Sequence, residues 1–140
     1  MPRILGIDFG DRRIGLAISD ELGLTAQPSA ALEVEEDGGH LQEVARLCQE
    51  ERVERVVVGL PRNMDGSLGP RARLTLEFVQ ALAARLNLPV ETWDERLTTR
   101  QAERSLRERG LTAKRRKARR DVVSAQLILQ GYLDAQKRRP

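Results

Sequence analysis

Apolar residues recur with two different periods along this chain, and each change of period marks an element. The runs Ile4-Leu5-Gly6-Ile7 and Ile14-Gly15-Leu16-Ala17-Ile18 sit within residues 3 to 9 and 13 to 19 and are joined by a tight turn at Gly10-Asp11-Arg12. They predict an antiparallel hairpin whose strands are buried on both faces. A weaker strand over about 24 to 34 contains Pro28, which lacks a ladder donor and belongs at a sheet edge. After the acidic loop Glu35-Glu36-Asp37-Gly38-Gly39, a helix is predicted with Leu41, Val44, Ala45 and Cys48 at i, i+3, i+4 and i+7. Val53, Val56, Val57 and Val58 then form a β-branched strand ending at Gly59.

The segment Leu60 to Pro70 is too long for a simple connection, and such loops carry function or motion. A helix over about 70 to 87 places Pro70 in its first turn and turns Ala72, Leu76, Val79, Ala83 and Leu86 to the core. Leu88 to Trp93 is a short strand, in which an aromatic residue is more often core than a base-stacking platform. Thr98 and Gln101 have capping-box spacing for a helix that stops at Gly110. The last helix, over about 119 to 136, carries Val122, Ala125, Leu129 and Tyr132 on one face. The fold class is therefore α/β, a mixed sheet of about five strands flanked by helices, in a single domain spanning residues 1–140. Crossovers make the later strands parallel to the first, and in such sheets ligands gather at the carboxyl ends of the strands.

Asp8 stands at such an end. It closes the run Arg3-Ile4-Leu5-Gly6-Ile7, where an unpaired carboxylate costs several kcal/mol to desolvate. Its partner is a metal ion, a basic side chain or the backbone donors of the following turn. Glu95 falls just past another strand and Asp121 at the start of the last helix, so three carboxylates converge on one sheet edge, an arrangement suited to divalent-metal chemistry. Taken singly, Asp121 is an ordinary first-turn acid complementing a helix dipole and Glu95 a surface acid; their joint order gives them weight. His40, the only histidine, reads as a surface or capping residue.

Charge alters the picture more than composition does. The net charge is +3, but residues 1 to 95 carry 10 Lys+Arg against 17 Asp+Glu, and residues 96 to 140 carry 14 against 4. A basic surface in the last third favours a polyanionic partner over a merely solvated one. The single cysteine, Cys48, excludes an intrachain disulfide and a thiolate metal cluster. With no apolar stretch near the roughly 20 residues of a membrane span, the expected location is the cytoplasm.

Four blocks in this order resemble the YqgF/RuvX family: Gly6-Ile7-Asp8-Phe9-Gly10 with Arg13-Ile14-Gly15-Leu16-Ala17; Val58 to Ser67; Asp94-Glu95-Arg96-Leu97-Thr98-Thr99; and Asp121 before Ala125 and Leu127 to Leu133. The resemblance covers nearly the whole chain. It implies a ribonuclease H-like fold and a nuclease that matures the 5′ end of pre-16S ribosomal RNA; members are also described as Holliday junction resolvases. It further implies that Asp8, Glu95 and Asp121 are the catalytic and metal-binding acids; for such hard carboxylate oxygens Mg²⁺ is the default cofactor and Mn²⁺ a substitute. We expect Asp8 to be shared between two ions, with Glu95 on one and Asp121 on the other. Between the neighbours Asp94 and Glu95, which face opposite ways if both lie on a strand, the match favours Glu95.

Nucleic-acid contacts are expected from Arg13, Asn63 and Arg96 in the matched blocks, and from Lys114, Arg115, Arg116, Lys117, Arg119 and Arg120, a basic run abutting Asp121. The partner is precursor ribosomal RNA or a four-way DNA junction, bound by a monomer or homodimer, without a membrane; paired cuts in a junction need the dimer. An actin-like or sugar-kinase-like nucleotide-binding module also opens on Asp-x-Gly, but needs a second domain for which 140 residues leave no room. A non-catalytic RNA-binding protein gives no reason for buried acids.

If the basic run grips phosphates, replacing Arg115, Arg116 and Arg119 with Ala flattens the dependence of log affinity on log salt by up to about 2 to 3 units, for all sequences alike. Titrations of nucleic acid at several salt concentrations check this; an unchanged slope makes the run a solvated linker.

Overall fold

The computed structural model describes residues 2–97, 100–108 and 120–137. Its strands are β1 (Arg3–Phe9), β2 (Arg13–Ser19), β3 (Ala26–Glu33), β4 (Val53–Leu60) and β5 (Val90–Asp94), and its helices α1 (Gly39–Glu50), α2 (Pro70–Arg85), α3 (Arg100–Glu108) and α4 (Arg120–Lys137). A 3-10 turn, Glu95–Leu97, follows β5. The strands form one sheet in the order β3-β2-β1-β4-β5. β2 is antiparallel to β1 and β3, whereas β4 and β5 run parallel to β1. β3 takes the edge, as Pro28 requires, and its register with β2 shifts between Leu16 and Ala17, beside that proline.

Alternation of side chains across the sheet builds two cores. On one face Leu5, Ile7, Ile14, Leu16, Val56 and Val58 pack with Val44 and Cys48 of α1 and Phe78 and Leu82 of α2. On the other, Ala17, Ala26 and Val57 pack under Ala125, Ile128, Leu129, Tyr132 and Leu133 of α4. The predicted stripe of α4 is buried throughout, that of α1 is buried at Val44 and Cys48 and half-buried at Leu41 and Ala45, and burial pushes the Cys48 thiol up to about 11. Trp93 packs edge-on to Tyr132, with ring centroids 5.8 Å apart at 84°, in keeping with a core role.

The expected inner face of α2 requires correction. Ala72 is buried, but the rest of the stripe is Thr75, Phe78 and Leu82; Leu76 and Val79 are half-buried, Ala83 is exposed and Leu86 lies past the helix end. The buried stripe is displaced by one residue at three positions while Ala72 is kept, a rotation of less than the roughly 100° between successive residues. Two contacts select this rotation. Phe78 stacks on Phe9 with centroids 4.4 Å apart, and the Thr75 hydroxyl donates to the Arg71 carbonyl at 3.0 Å, which satisfies the one polar group on the buried stripe. The cap at Thr98, the stop at Gly110 and the run from Lys114 to Arg119 lie outside the described residues; of Arg120 only the helical backbone is described.

Two buried glutamines fix α4 to the sheet. Gln130 accepts a hydrogen bond from the Ala26 amide at 2.9 Å and donates to the Leu24 carbonyl at 3.0 Å, while Gln126 donates to the Ala26 carbonyl at 3.2 Å. They satisfy the backbone where β3 begins and has lost its outer neighbour. Gln130→Leu, of similar size, leaves the fully buried Ala26 amide unpaired and costs about 1–3 kcal/mol. Urea unfolding measures this; a loss within error would mean that water takes over the amide.

Candidate active site

The sheet face under α4 carries Ile4, Gly6 and Asp8 on β1, and Asp8 pairs across the ladder with Gly15 of β2. Gly15 has a steric cause. A Cβ there would run into the Asp121 carbonyl and stand 3.0 Å from the Asp121 side chain. The first turn of α4 thus lies directly on the strand beside Asp8. Gly59, at the end of β4, has the same role on the other flank: a Cβ would collide with Ile128 and come within 3.1 Å of the Glu95 Cγ. Glycines at 15 and 59 therefore admit Asp121 and Glu95 to either side of Asp8.

The electrostatics reflect this convergence. Burial raises the proton affinity of Asp8; the Arg71 guanidinium opposes that shift and Asp121 adds to it. Glu95 is raised in turn by burial and by Asp8, again opposed by Arg71, with Asp94 adding a smaller push. Among the described residues, no hydrogen bond or ion pair engages the carboxylates of Asp8, Glu95 or Asp121. As they stand, no group of three or more His, Cys, Asp or Glu among the described residues is gathered tightly enough to hold an ion. The acids are instead coupled in two pairs that share Asp8.

Asp94 behaves differently from its neighbour. It takes the Arg96 guanidinium by Nε at 3.1 Å and Nη2 at 2.7 Å, with Arg62 at 3.9 Å, and Arg96 holds its carboxyl below the ordinary range. Asp94 is committed to a surface clamp, whereas Glu95, in the 3-10 turn, faces Asp8. Asn63 and Arg96 both brace the loop after β4, through Ser67 and the Met64 carbonyl, and Arg13 is exposed at the start of β2. His40 accepts the Glu35 amide at Nδ1, 3.0 Å away, where the chain enters α1.

Arg71 was missed from the sequence, although a signal was present. It occupies the first turn of α2, where the helix dipole favours acids and no acid is found. A cation placed against that preference needs another reason, and here it faces Asp8 and Glu95.

Residues 2–135 match the family model described as RuvX: Holliday junction resolvase. The chain belongs to the RuvX family. A Halothermothrix orenii protein named "Putative pre-16S rRNA nuclease" is 48% identical over 136 residues, covering 97% of either chain. One of the same name from Syntrophomonas wolfei is 50% identical over 135 residues, covering 94% of each. Among solved structures, Thermus thermophilus RuvC in complex with Holliday junction substrate superposes with TM-score 0.68 at 19% identity, over 98% of this chain and 96% of that one. Fowlpox virus Holliday junction resolvase gives 0.56 at 13% identity, over 96% and 99%. These likenesses give the RuvX-family chain its ribonuclease H-like fold.

Raised carboxylates bind protons more tightly when folded. The fold therefore loses stability as pH rises through their folded pKa values, and the penalty is absent near or below about pH 4, the ordinary carboxylate range. Asp8→Asn removes the shared charge, so in EDTA it raises Tm at pH 7 and gives little gain near about pH 4. Thermal unfolding at the two pH values checks this; a lower Tm at pH 7 would mean that Asp8 already has a stabilising partner.

Proposed function

We propose that this RuvX-family chain is a cytoplasmic, metal-dependent nuclease that cleaves phosphodiester bonds of precursor 16S ribosomal RNA. One observation carries the chemical part: Asp121 and Glu95 both crowd Asp8, the Arg71 guanidinium offsets only part of that charge, and among the described residues no hydrogen bond takes up the three carboxylates' lone pairs. Such a set is costly to fold unless an external cation completes it. The names of the close relatives support the substrate, and no described helix is long and apolar enough to cross a membrane.

The hard oxygen donors fit Mg²⁺ or Mn²⁺. Asp8, Glu95 and Asp121 would hold it, drawn closer than they stand here. When bound, a divalent cation supplies the positive charge that favours a hydroxide nucleophile and an oxyanion leaving group. The chain's own residues do the rest. Arg71, exposed at the rim, offers a guanidinium to the phosphate and partly offsets the acids against a polyanion. Gly15 and Gly59 keep the acids within reach of one another, and the Asp94 clamp orients the turn that carries Glu95.

The family description favours a second reading, cleavage of four-way DNA junctions. Purified protein offered precursor 16S fragments and synthetic junctions in parallel, with Mg²⁺, Mn²⁺ or EDTA, separates the two. We expect metal-dependent cleavage of the RNA. Glu95→Gln should lose at least about a hundredfold in kcat, as when one stabilising group is removed from a site, while Asp94→Asn stays within about fivefold. Cleavage undiminished by EDTA would overturn the metal requirement, and equal loss in the two variants would overturn the choice of Glu95.

A further inference from the structure

The loop after β4 presents a bare apolar side chain on a braced support. Asn63 and Ser67 close a tight turn, with Gly66 N–H donating to the Asn63 carbonyl at 2.8 Å and Asn63 N–H to the Ser67 carbonyl at 3.0 Å. Gly66 has φ +88, a left-handed value that glycine adopts without the steric cost of a Cβ. Asp65 folds back onto the Ser67 amide and hydroxyl, and Asn63 reaches the same hydroxyl. From below, Arg62 donates to the Gly66 carbonyl at 2.9 Å. From the side, Arg96 donates to the Met64 carbonyl at 3.2 Å while gripping Asp94. The tip is thus tied to the residue next to Glu95.

Met64 stands on that tip, 93% exposed, the most exposed large apolar side chain among the described residues. A single exposed apolar residue is ordinary. Here, however, the polar groups of the turn are spent on holding the backbone, and Leu97, 53% exposed, follows Arg96 directly. Methionine is unbranched and polarisable, suited to slide against flat aromatic surfaces, and apolar side chains on rigid supports unstack base steps in bound nucleic acid.

We propose that Met64 is an unstacking wedge: its side chain enters a base step of the bound RNA beside the scissile phosphate, and the Arg96–Asp94 brace fixes its reach from Glu95. The proposal rests on the nuclease reading above. A paired end resists entry to an acidic site because its bases hold the backbone in helical register, and opening one step lets the phosphate turn toward Asp8.

The test compares wild type, Met64→Ser and Met64→Leu on two precursor 16S fragments, one paired at the cleaved step and one carrying a mismatch there. Met64→Ser should lose about tenfold or more in kcat/KM on the paired fragment and come within about threefold of wild type on the mismatched one, since the base step is already open. Met64→Leu should retain activity on both. Equal activity of Met64→Ser and wild type on the paired fragment overturns the wedge, and so does an equal loss on both fragments, which would indicate a role in loop structure. If wild type cleaves neither fragment, the nuclease reading fails and the wedge fails with it; cleavage by wild type with no effect of Met64→Ser removes the wedge alone.

Discussion

How closely α4 approaches the sheet governs the rest of this molecule. Side chains at Gly6, Gly15 or Gly59 would meet Leu129, Asp121 and Ile128 respectively, and Ala17 and Ala125 keep the same interface thin. With ordinary residues there, the helix would ride higher and its first turn would lift away from β1. The glycines carry a cost in backbone entropy. The glutamines that stitch α4 to the first residues of β3 help to offset it, because their hydrogen bonds are made in a buried setting where the alternative is an unpaired amide.

The same approach sets up the electrostatic tension. Burial already raises the proton affinity of Asp8, and the acids brought beside it add to the strain. With Asp121 brought over Gly15 and Glu95 over Gly59, two half-buried acid pairs meet at Asp8, and Arg71, the cation that opposes both shifts, is contributed by a helix whose body packs on the opposite sheet face. Asp94 shows how the chain limits the damage: its charge is drawn outward onto Arg96 and Arg62, away from the cluster. Neighbouring acids thereby hold opposite assignments, one bound to the loop and one left for the site.

Much of this was legible in the sequence where local pattern suffices. The β-branched run at 53 to 58, the turn at Gly10 and the proline of β3 each have one economical reading, and the parallel direction of β4 and β5 followed from crossover geometry. Asp8 stood out as a charge at the end of an apolar run, whereas Glu95 and Asp121 drew their weight from their joint order and the family resemblance. What resisted reading depends on partners distant in sequence. The rotation of α2 is chosen by Phe9 against Phe78, and Thr75 is buried only because its hydroxyl can turn back on Arg71. The bracing of the 62–67 turn by Arg96 could not be seen without knowing that β4 and β5 are adjacent.

The separation of Asp8 and Asp121 along the chain also has a temporal meaning. Asp8 is made with the first strand and Asp121 with the last helix, so the cluster does not exist on a nascent polypeptide until nearly the whole sequence has been synthesised. β1, β2 and β4 can pair beforehand, and Asp8 then waits with neither its acidic neighbour nor the helix that covers it. An unfinished chain, or one terminated before α4, lacks the assembled acidic cluster. Order of synthesis thus delays the acidic cluster until the last helix has been made.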